Sequence, residues 1–262
     1  MKIRALMENT ARAPEIFSEH GLSLYIETGK HRILFDTGQS GRFADNAERM
    51  GADLRAVDLA VLSHGHYDHG GGLERFLELN RTAPVYLSQY AFEPHWNGEK
   101  DIGLDPALRE SPRLRYVKER TVLDEGIELY PMAGFSPEYP LRPDGLSTIR
   151  EGRRMAEDFR HEQYLLIREG GKTVLFSGCS HAGILNIAGW FEPDLLVGGF
   201  HFKNLDPEGE GREVLEQAAR VLKTHRTRYV TCHCTGTAQY GFLKERMGGS
   251  LGYLSAGQEL VL

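Results

Sequence analysis

Four side chains that can bind a metal ion fall within six consecutive residues, namely His64, His66, Asp68 and His69. His64 and His66 are two residues apart, and on an extended segment this spacing points both rings to the same side, where they can hold one cation. Asp68 and His69 follow where the chain must turn, so we expect them to face a second cation beside the first. Imidazole nitrogen mixed with carboxylate oxygen suits zinc, iron or manganese and suits calcium poorly. The pattern predicts a metal site, and the glycines around it disfavour the alternative of a polar surface loop.

A buried strand and a helix are predicted on either side of this motif, from the apolar run at 57–62 and from the glycines at 70–72 that lead into 73–79. The same patterns predict strands at 2–8, 22–28, 31–35, 85–87, 122–130, 163–168, 172–176, 228–232 and near 260, with helices at 40–50, 214–222 and from about 238. Residues 29–38 and 171–179 are similar, which indicates a weak internal repeat of two strand-turn-strand-helix halves. We therefore predict the α/β class, as an αββα sandwich of two mixed β-sheets with helices on both outer faces.

Three further histidines stand at the ends of predicted strands in the second half, namely His181, His201 and His233. A site for two cations needs more than four ligands, and strand ends at the same edge as His64 are where the others must come from. His201 is expected at the rim of the site, as a ligand or as a contact to a ligand or to substrate. Asp36 ends the strand beside the motif, so we expect it to orient the His64 loop by hydrogen bonds.

Other histidines and two cysteines are assigned no role at the site. The histidines that lack a strand-end context are predicted to be solvated, namely His20, His31, His95, His161 and His225. Cys232 and Cys234 would point opposite to His233 if the strand continued through them, so both are expected to be buried thiols rather than zinc ligands.

The composition of the 262 residues is that of an ordinary globular protein, with 40% hydrophobic and 26% charged residues. A net charge of −6 and a pI of about 6.0 argue against general nucleic-acid binding but leave room for a local basic pocket. Three cysteines form no disulfide framework, which favours a reducing cytosol. We see no signal peptide and no 18-residue apolar run, so we expect a cytoplasmic protein without a membrane span.

The string H-x-H-x-D-H at 64–69 resembles the signature of the metallo-β-lactamase superfamily. The resemblance implies one domain over 1–262 with insertions near 92–118 and 139–160, and two divalent metal ions, most simply zinc, with manganese or iron as alternatives. An aspartate or cysteine after a strand often contacts the second cation in that superfamily, and Cys179 stands at that place. The usual histidine of a T-P-G-H segment is absent from 132–137, so we expect His181 to supply that ligand and His233 the last one. Whether Cys179, His181 or both coordinate stays open.

Longer strings resemble one branch of this superfamily, named for 7,8-dihydropterin-6-methyl-4-(β-D-ribofuranosyl)aminobenzene-5′-phosphate synthase. The strings lie at 62–73, 178–184, 198–201 and 233–236. The resemblance implies condensation of a hydroxymethyl-dihydropterin diphosphate with a ribofuranosyl-aminobenzene phosphate in the methanopterin pathway. Residues 134–140 depart from the G-x-x-P-R string of the branch, on the expected substrate side.

The chemistry common to these activities is activation of water, or of a phosphorylated or pterin-type anionic substrate, by two cations about 3.5–4 Å apart. Asp68 is expected to bind one cation and to orient the reacting water between them. A small anionic substrate needs a positive patch, for which the candidates are Arg142, Arg150, Arg153, Arg154 and Lys203. The first four lie in the proline-rich stretch 131–160, which we predict to be a surface loop that shapes the substrate pocket.

Three alternatives stay open. One is a redox or sensor protein with iron at the pair, which metal analysis and an absorption spectrum would distinguish from a hydrolase. Another is a phosphodiesterase-like hydrolase unrelated to pterin metabolism. The third is a non-catalytic binding domain, which the intact motif disfavours. The sequence leaves the oligomeric state open, a homo-oligomer included.

Overall fold

Eight strands and three helices form the first half of the chain in the computed structural model, which describes residues 1–262. In chain order they are β1 (Lys2–Met7), β2 (Ser23–Glu27), β3 (Arg32–Phe35), α1 (Arg42–Arg49), β4 (Leu59–Val61), α2 (Tyr67–Gly70), α3 (Leu73–Leu79), β5 (Val85–Ser88), β6 (His95–Asn97), β7 (Lys100–Asp101) and β8 (Leu114–Val117). Helix α1 buries Phe43, Ala44 and Ala47, whose spacing places them on one helical face.

Ten strands and three helices form the second half. They are β9 (Thr121–Asp124), β10 (Ile127–Pro131), β11 (Leu146–Arg150), β12 (Arg153–Ala156), β13 (Gln163–Glu169), β14 (Lys172–Ser177), α4 (Ile184–Phe191), β15 (Leu195–Gly198), α5 (Arg212–Leu222), β16 (Arg228–Thr231), α6 (Thr237–Met247), β17 (Leu251–Tyr253) and β18 (Glu259–Val261). The predicted strand at 122–130 is two strands, because Gly126 adopts a positive φ of 76° and turns the chain between them.

Two seven-stranded mixed sheets form the body of the fold. Their strand orders are β18-β1-β2-β3-β4-β5-β8 and β17-β16-β15-β14-β13-β10-β9. In the first sheet the antiparallel hairpin β2–β3 is followed by the parallel strand β4, and in the second the hairpin β13–β14 is followed by the parallel strand β15. This correspondence is the structural counterpart of the weak sequence repeat, and the prediction of two mixed sheets is confirmed.

Apolar side chains fill the space between the two sheets and the space under the helices. Phe35 of the first sheet packs on Phe176 of the second with ring centres 5.8 Å apart, and both are fully buried. Burying such a side chain contributes about 1.5–3 kcal/mol. A second cluster lies under α1 and α3 and a third under α4, α5 and α6, so helices cover both outer faces as predicted. None of the helices combines the length and the apolar composition needed to cross a bilayer.

A small third sheet joins the two segments that the sequence left without regular structure. Its order is β12-β11-β6-β7, with strands from 92–118 and from 131–160. The prediction of a long loop at 131–160 is therefore wrong. Strand β12 is exposed along its whole length and β6 has three residues, so neither shows the alternation that reveals a strand.

Candidate metal centre

The candidate ligands lie at the carboxyl ends of parallel strands, at one edge that the two large sheets share. Asp36 follows β3 and His64 follows β4, while Cys179, His201 and His233 follow β14, β15 and β16. In open α/β sheets this edge is where ligands bind, because the loops that leave parallel strands converge there. The topology thus brings the motif of the first half next to the histidines of the second.

His64, His66 and His181 form what we term the first group. Their ring centres are 4.6, 4.9 and 4.9 Å apart in the three pairs, and all three side chains are buried. Imidazoles that share a tetrahedral zinc through bonds of about 2.0–2.1 Å have ring centres roughly 5 Å apart. Nε2 of His64, Nε2 of His66 and both ring nitrogens of His181 are buried without a protein partner. Buried polar atoms are normally paired, so this group fits a divalent cation.

Asp68, His69 and His233 form the second group. Nε2 of His233 lies 3.2 Å from Nε2 of His69 and 3.3 Å from Oδ2 of Asp68, and the His69–Asp68 distance is 4.0 Å. Ligand atoms around one tetrahedral zinc are roughly 3.4 Å apart. Cys179 Sγ lies 3.2 Å from His69 Nε2 and also falls within 4.8 Å of the donor atoms of His64 and His181. The thiol therefore stands between the two groups.

Buried hydrogen bonds turn the candidate ligands toward the site. Asp36 accepts hydrogen bonds from the backbone N–H of Ser63 (2.7 Å), from Ser63 Oγ (2.8 Å) and from His69 Nδ1 (2.7 Å). Asn9 Oδ1 lies 2.7 Å from His233 Nδ1. In both histidines the partner at Nδ1 leaves Nε2 facing the site. The hydrogen bonds expected of Asp36 are present.

The backbone is unusual at this edge. Four non-glycine residues adopt positive φ there, namely Asp36 (60°), Ser180 (56°), His201 (54°) and His233 (50°). A Cβ on Gly178 would collide with Ser63 Oγ, because the loops of the two halves touch at that point. Sparsely populated conformations of this kind cluster at functional sites, where the surrounding structure holds them.

The two groups differ in charge. Burial, followed by the neighbouring imidazoles, lowers the pKa of His64, His66 and His181 well below the usual value, so these rings are neutral. Burial alone would raise the pKa of Asp68, but His69, His20 and His233 hold it well below its usual range.

His69 behaves oppositely to the first group. Burial alone would lower its pKa, yet Asp36 and Asp68 raise the pKa of His69 to about 9. The first group is thus a set of neutral donors, whereas the second carries an ionised carboxylate.

The prediction that His95 and His161 are solvated is wrong, and His20, which is partly exposed, is paired at the site and not freely solvated. His20 Nε2 lies 3.1 Å from Asp68 Oδ2, and its ring centre is 4.8 Å from that of His233. His95 and His161 are fully buried beside His66. They belong to β6 and to the segment before β13, which the tertiary fold brings to the motif, and no local pattern in the sequence signals this. The two others are carboxylate-paired rather than freely solvated, His31 with Asp124 and His225 with Glu192.

Cys234 also differs from expectation. Both Cys232 and Cys234 are buried as predicted, and Cys232 packs between the two sheets. Strand β16 ends at Thr231, however, and a 3₁₀ turn at His233–Thr235 breaks the alternation on which the prediction rested. Cys234 Sγ therefore points to the site, where it accepts a hydrogen bond from the His201 N–H at 3.3 Å and donates one to the Cys179 carbonyl at 3.4 Å.

Two cavities adjoin the centre. A small one, of about 100 Å³, is lined by Asp68, His181, His201, Lys203 and Lys100 among others. Lys203 Nζ lies 3.2 Å from His20 Nε2, and Lys100 Nζ lies 2.9 Å from the Tyr67 hydroxyl. Lys100 comes from β7 of the third sheet, and the sequence did not single it out. A larger cavity of about 230 Å³ lies against His181 and His201, and its lining includes Tyr139, Pro140, Arg142, Ile184, Phe202 and Leu205.

The predicted positive patch is only partly assembled at these cavities. Arg142 and Lys203 line them. Arg150 is held by Asp158 through two hydrogen bonds of 2.6 Å, and Arg154 bonds Glu99 and Ser147 within the third sheet. Arg153 begins the exposed strand β12 and lines neither cavity.

Comparison with known proteins places the chain among characterised folds. Residues 19–222 match a family model described as the metallo-β-lactamase superfamily. The chain is 30% identical over 244 residues to the uncharacterized protein MJ0448 of Methanocaldococcus jannaschii, covering 89% of this chain and 90% of that protein. It is 27% identical over 272 residues to the 7,8-dihydropterin-6-methyl-4-(β-D-ribofuranosyl)-aminobenzene-5′-phosphate synthase of the same organism, covering 94% and 91%.

A solved structure matches over the full length. Tm1679, described as a metal-dependent hydrolase of the β-lactamase superfamily, superposes with a TM-score of 0.81 at 29% identity, covering 100% of this chain and 99% of that chain. The resemblances stated from the sequence are confirmed by these matches.

Proposed function

The chain belongs to the metallo-β-lactamase superfamily, and from this premise we propose that it is a metal-dependent hydrolase or transferase that acts on a small anionic, phosphorylated substrate through two divalent cations. One observation carries the proposal. Two adjacent groups of candidate ligand atoms, one made of neutral imidazoles and one that includes the ionised carboxylate of Asp68, share the thiol of Cys179 and open into a cavity bordered by Lys100 and Lys203.

We assign one cation to each group. His64, His66 and His181 would hold the first cation, and Asp68, His69 and His233 the second, with Cys179 in reach of both. The thiol favours zinc or iron over manganese, and the tetrahedral spacing of the donors favours zinc. Bound there, the cations would lower the pKa of a water and neutralise charge on the oxygen being displaced.

Residues of the chain itself would orient the reactants. The ionised carboxylate of Asp68 can accept a hydrogen bond from the reacting water, and His20 holds that carboxylate in place at 3.1 Å. Lys100 and Lys203 would bind the anionic group of the substrate, which the net charge of −6 would otherwise repel. His201 borders both cavities and its buried Nδ1 has no protein partner, so it is placed to hydrogen bond to the substrate.

A transferase of the dihydropterin type is the second candidate, and the likeness to the synthase of M. jannaschii favours it. The larger cavity is mostly apolar around His181 and would accommodate a ring next to the cations. Tyr139 and Pro140 in its wall belong to the segment that departs from the string of that branch. A phosphodiesterase-like hydrolase therefore stays the alternative to a pterin substrate.

The test combines metal analysis with a substrate screen. We would measure bound zinc, iron and manganese, record the visible absorption spectrum, and assay phosphodiesters, phosphomonoesters, thioesters, lactams and a dihydropterin diphosphate with an aminobenzene acceptor. Lys203→Ala should raise KM for the best phosphorylated substrate. The control Lys172→Ala should leave KM unchanged, because Lys172 begins β14 at the end of the strand that is far from the site. A protein that binds no divalent cation, or that prefers neutral lactams, would contradict the proposal, and bound iron with a redox-active spectrum would favour the sensor alternative.

A further inference from the structure

Three buried side chains that the proposed function does not use stand directly behind the first group. They are His95, His161 and Glu157, which are 0%, 0% and 3% exposed. The ring centres of His95 and His161 are 3.9 Å apart, and that of His161 is 4.9 Å from the ring centre of His66. Burying three ionisable side chains is costly unless they are paired. Both histidines are paired at Nδ1, whereas their Nε2 atoms have no protein partner.

Hydrogen bonding determines which ring nitrogens carry protons. The backbone N–H of Gly65 donates to His161 Nδ1 at 2.9 Å, so Nδ1 presents a lone pair and a neutral His161 carries its proton on Nε2. His95 Nδ1 lies 2.8 Å from Glu157 Oε2, and because an ionised carboxylate only accepts, His95 carries its proton on Nδ1.

This proton arrangement excludes a third cation. The donor atoms of His66, His95 and His161 lie within 4.8 Å of one another, which is a metal-like spacing. Nε2 of His161 has no free lone pair, however, because it carries the proton when Nδ1 accepts from Gly65. His95, His161 and Glu157 are therefore a hydrogen-bonded support for the neighbouring group and not a ligand set of their own.

Gly65 is the residue that this support holds. It lies between His64 and His66, so the orientation of its peptide determines where both rings point. A Cβ on Gly65 would collide with the carbonyl oxygen of Ala91 and with His95 Nε2. His161 thus fixes the N–H of this residue by a hydrogen bond, while His95 closes off the space beside its Cα.

We propose that His161 and His95 are positioning residues for the first cation, acting through the peptide of Gly65. The inference rests on the proposed assignment of His64, His66 and His181 to that cation. It gives the segments that form the third sheet a role at the metal centre, since β6 begins at His95 and Glu157 follows β12. Loss of an outer hydrogen bond of this type costs about 10–100-fold in metal affinity.

The experiment compares His161→Leu with His161→Asn. Leucine fills a similar volume without an acceptor, whereas the side-chain oxygen of asparagine can occupy the place of Nδ1 and accept from Gly65. We expect His161→Leu to bind the first zinc about 10–100-fold more weakly in a chelator competition, and His161→Asn to recover most of that affinity. The cobalt-substituted protein should show a changed visible spectrum for the leucine variant only.

Controls separate positioning from general stability. His31→Leu removes a carboxylate-paired histidine before β3, at the opposite end of the strand from the site, and should leave zinc affinity unchanged. Thermal unfolding of the metal-free variants measures any loss that is merely structural. His161→Gln, which keeps an amide but shifts it toward the position of Nε2, replaces the leucine variant if that one does not fold.

The outcomes distinguish this inference from the function on which it rests. Equal zinc affinity and equal cobalt spectra in wild type and His161→Leu (or His161→Gln) would overturn the inference alone, as would equal weakening by the leucine and asparagine variants. A wild-type protein that binds neither zinc nor cobalt would overturn the proposed function, and the inference with it.

Discussion

The two groups of candidate ligands are assembled by different means. In the second group, Asp68 and His233 contact each other directly. Each member also has a partner outside the group: His20 for Asp68, Asp36 for His69 and Asn9 for His233. In the first group the ring nitrogens that face inward have no partner, and neighbouring imidazoles only lower one another's pKa. The second group is thus held by its own charges and hydrogen bonds, whereas the first depends on loop geometry until a cation binds.

The largest effect is expected from Asp68→Asn. Asparagine keeps the size of the side chain but removes the charge that faces His20 and His233. The second cation should therefore bind more weakly, while the first stays bound. Turnover should fall roughly 100-fold or more, because the reacting water loses a charged acceptor. Metal content per chain and kcat would be measured on an identified substrate. Asp58→Asn, at the far end of the first sheet, is the control, and unchanged turnover in Asp68→Asn would contradict a two-cation mechanism.

The next effect distinguishes His181 from its neighbour His201, whose ring centre is 4.3 Å away. His181→Ala removes a donor of the first group, so zinc content should drop toward one ion per chain. His201→Ala should leave both ions bound and should lower kcat/KM instead, since we place His201 at the substrate. Metal analysis after dialysis gives the answer. The reverse result, with zinc lost from the His201 variant only, would exchange the two assignments.

A smaller effect is expected from Asp36→Asn. The residue has a φ of 60°, which asparagine tolerates well, so the backbone should not change. The amide replaces one acceptor oxygen by a donor beside Ser63 Oγ and His69 Nδ1, and the second cation should bind about 10–100-fold more weakly. A chelator titration that resolves two sites would measure this loss of affinity for the second cation. Weakening of the first site alone would mean that Asp36 acts mainly through Ser63 and His64.

The smallest effect concerns the arginines of 131–160. Arg142→Ala should raise KM roughly threefold to tenfold for an anionic substrate, the value of one exposed hydrogen-bonded charge. Arg154→Ala is the matched control, because that guanidinium is engaged by Glu99 and Ser147 away from the cavities. Steady-state kinetics of both variants at equal metal content are the measurement. Equal KM values for both variants and wild type would assign anion binding to Lys100 and Lys203 alone.

Local sequence determined the features that depend on neighbouring residues. The spacing of His64, His66, Asp68 and His69 after an apolar run predicted a loop of potential ligands at a strand end, since strand alternation and glycine turns are short-range properties. The repeated hairpin-and-strand pattern predicted two mixed sheets, and Asp36 was identified because it ends the strand next to the motif.

Tertiary structure alone decided which distant residues reach that loop. His20, His95, His161 and Lys100 carry no local signal, and packing of the third sheet and of the segment after β1 brings them to the centre. Cys234 reaches the site because β16 stops at Thr231, which depends on how the following turn packs and not on alternation within the strand. Arg150 and Arg154 were candidates for substrate binding from the sequence. In the structure they form ion pairs with Asp158 and Glu99 instead. Side chains that are far apart along the chain acquire a role only through the contacts that folding gives them, and no periodicity in the sequence encodes those contacts.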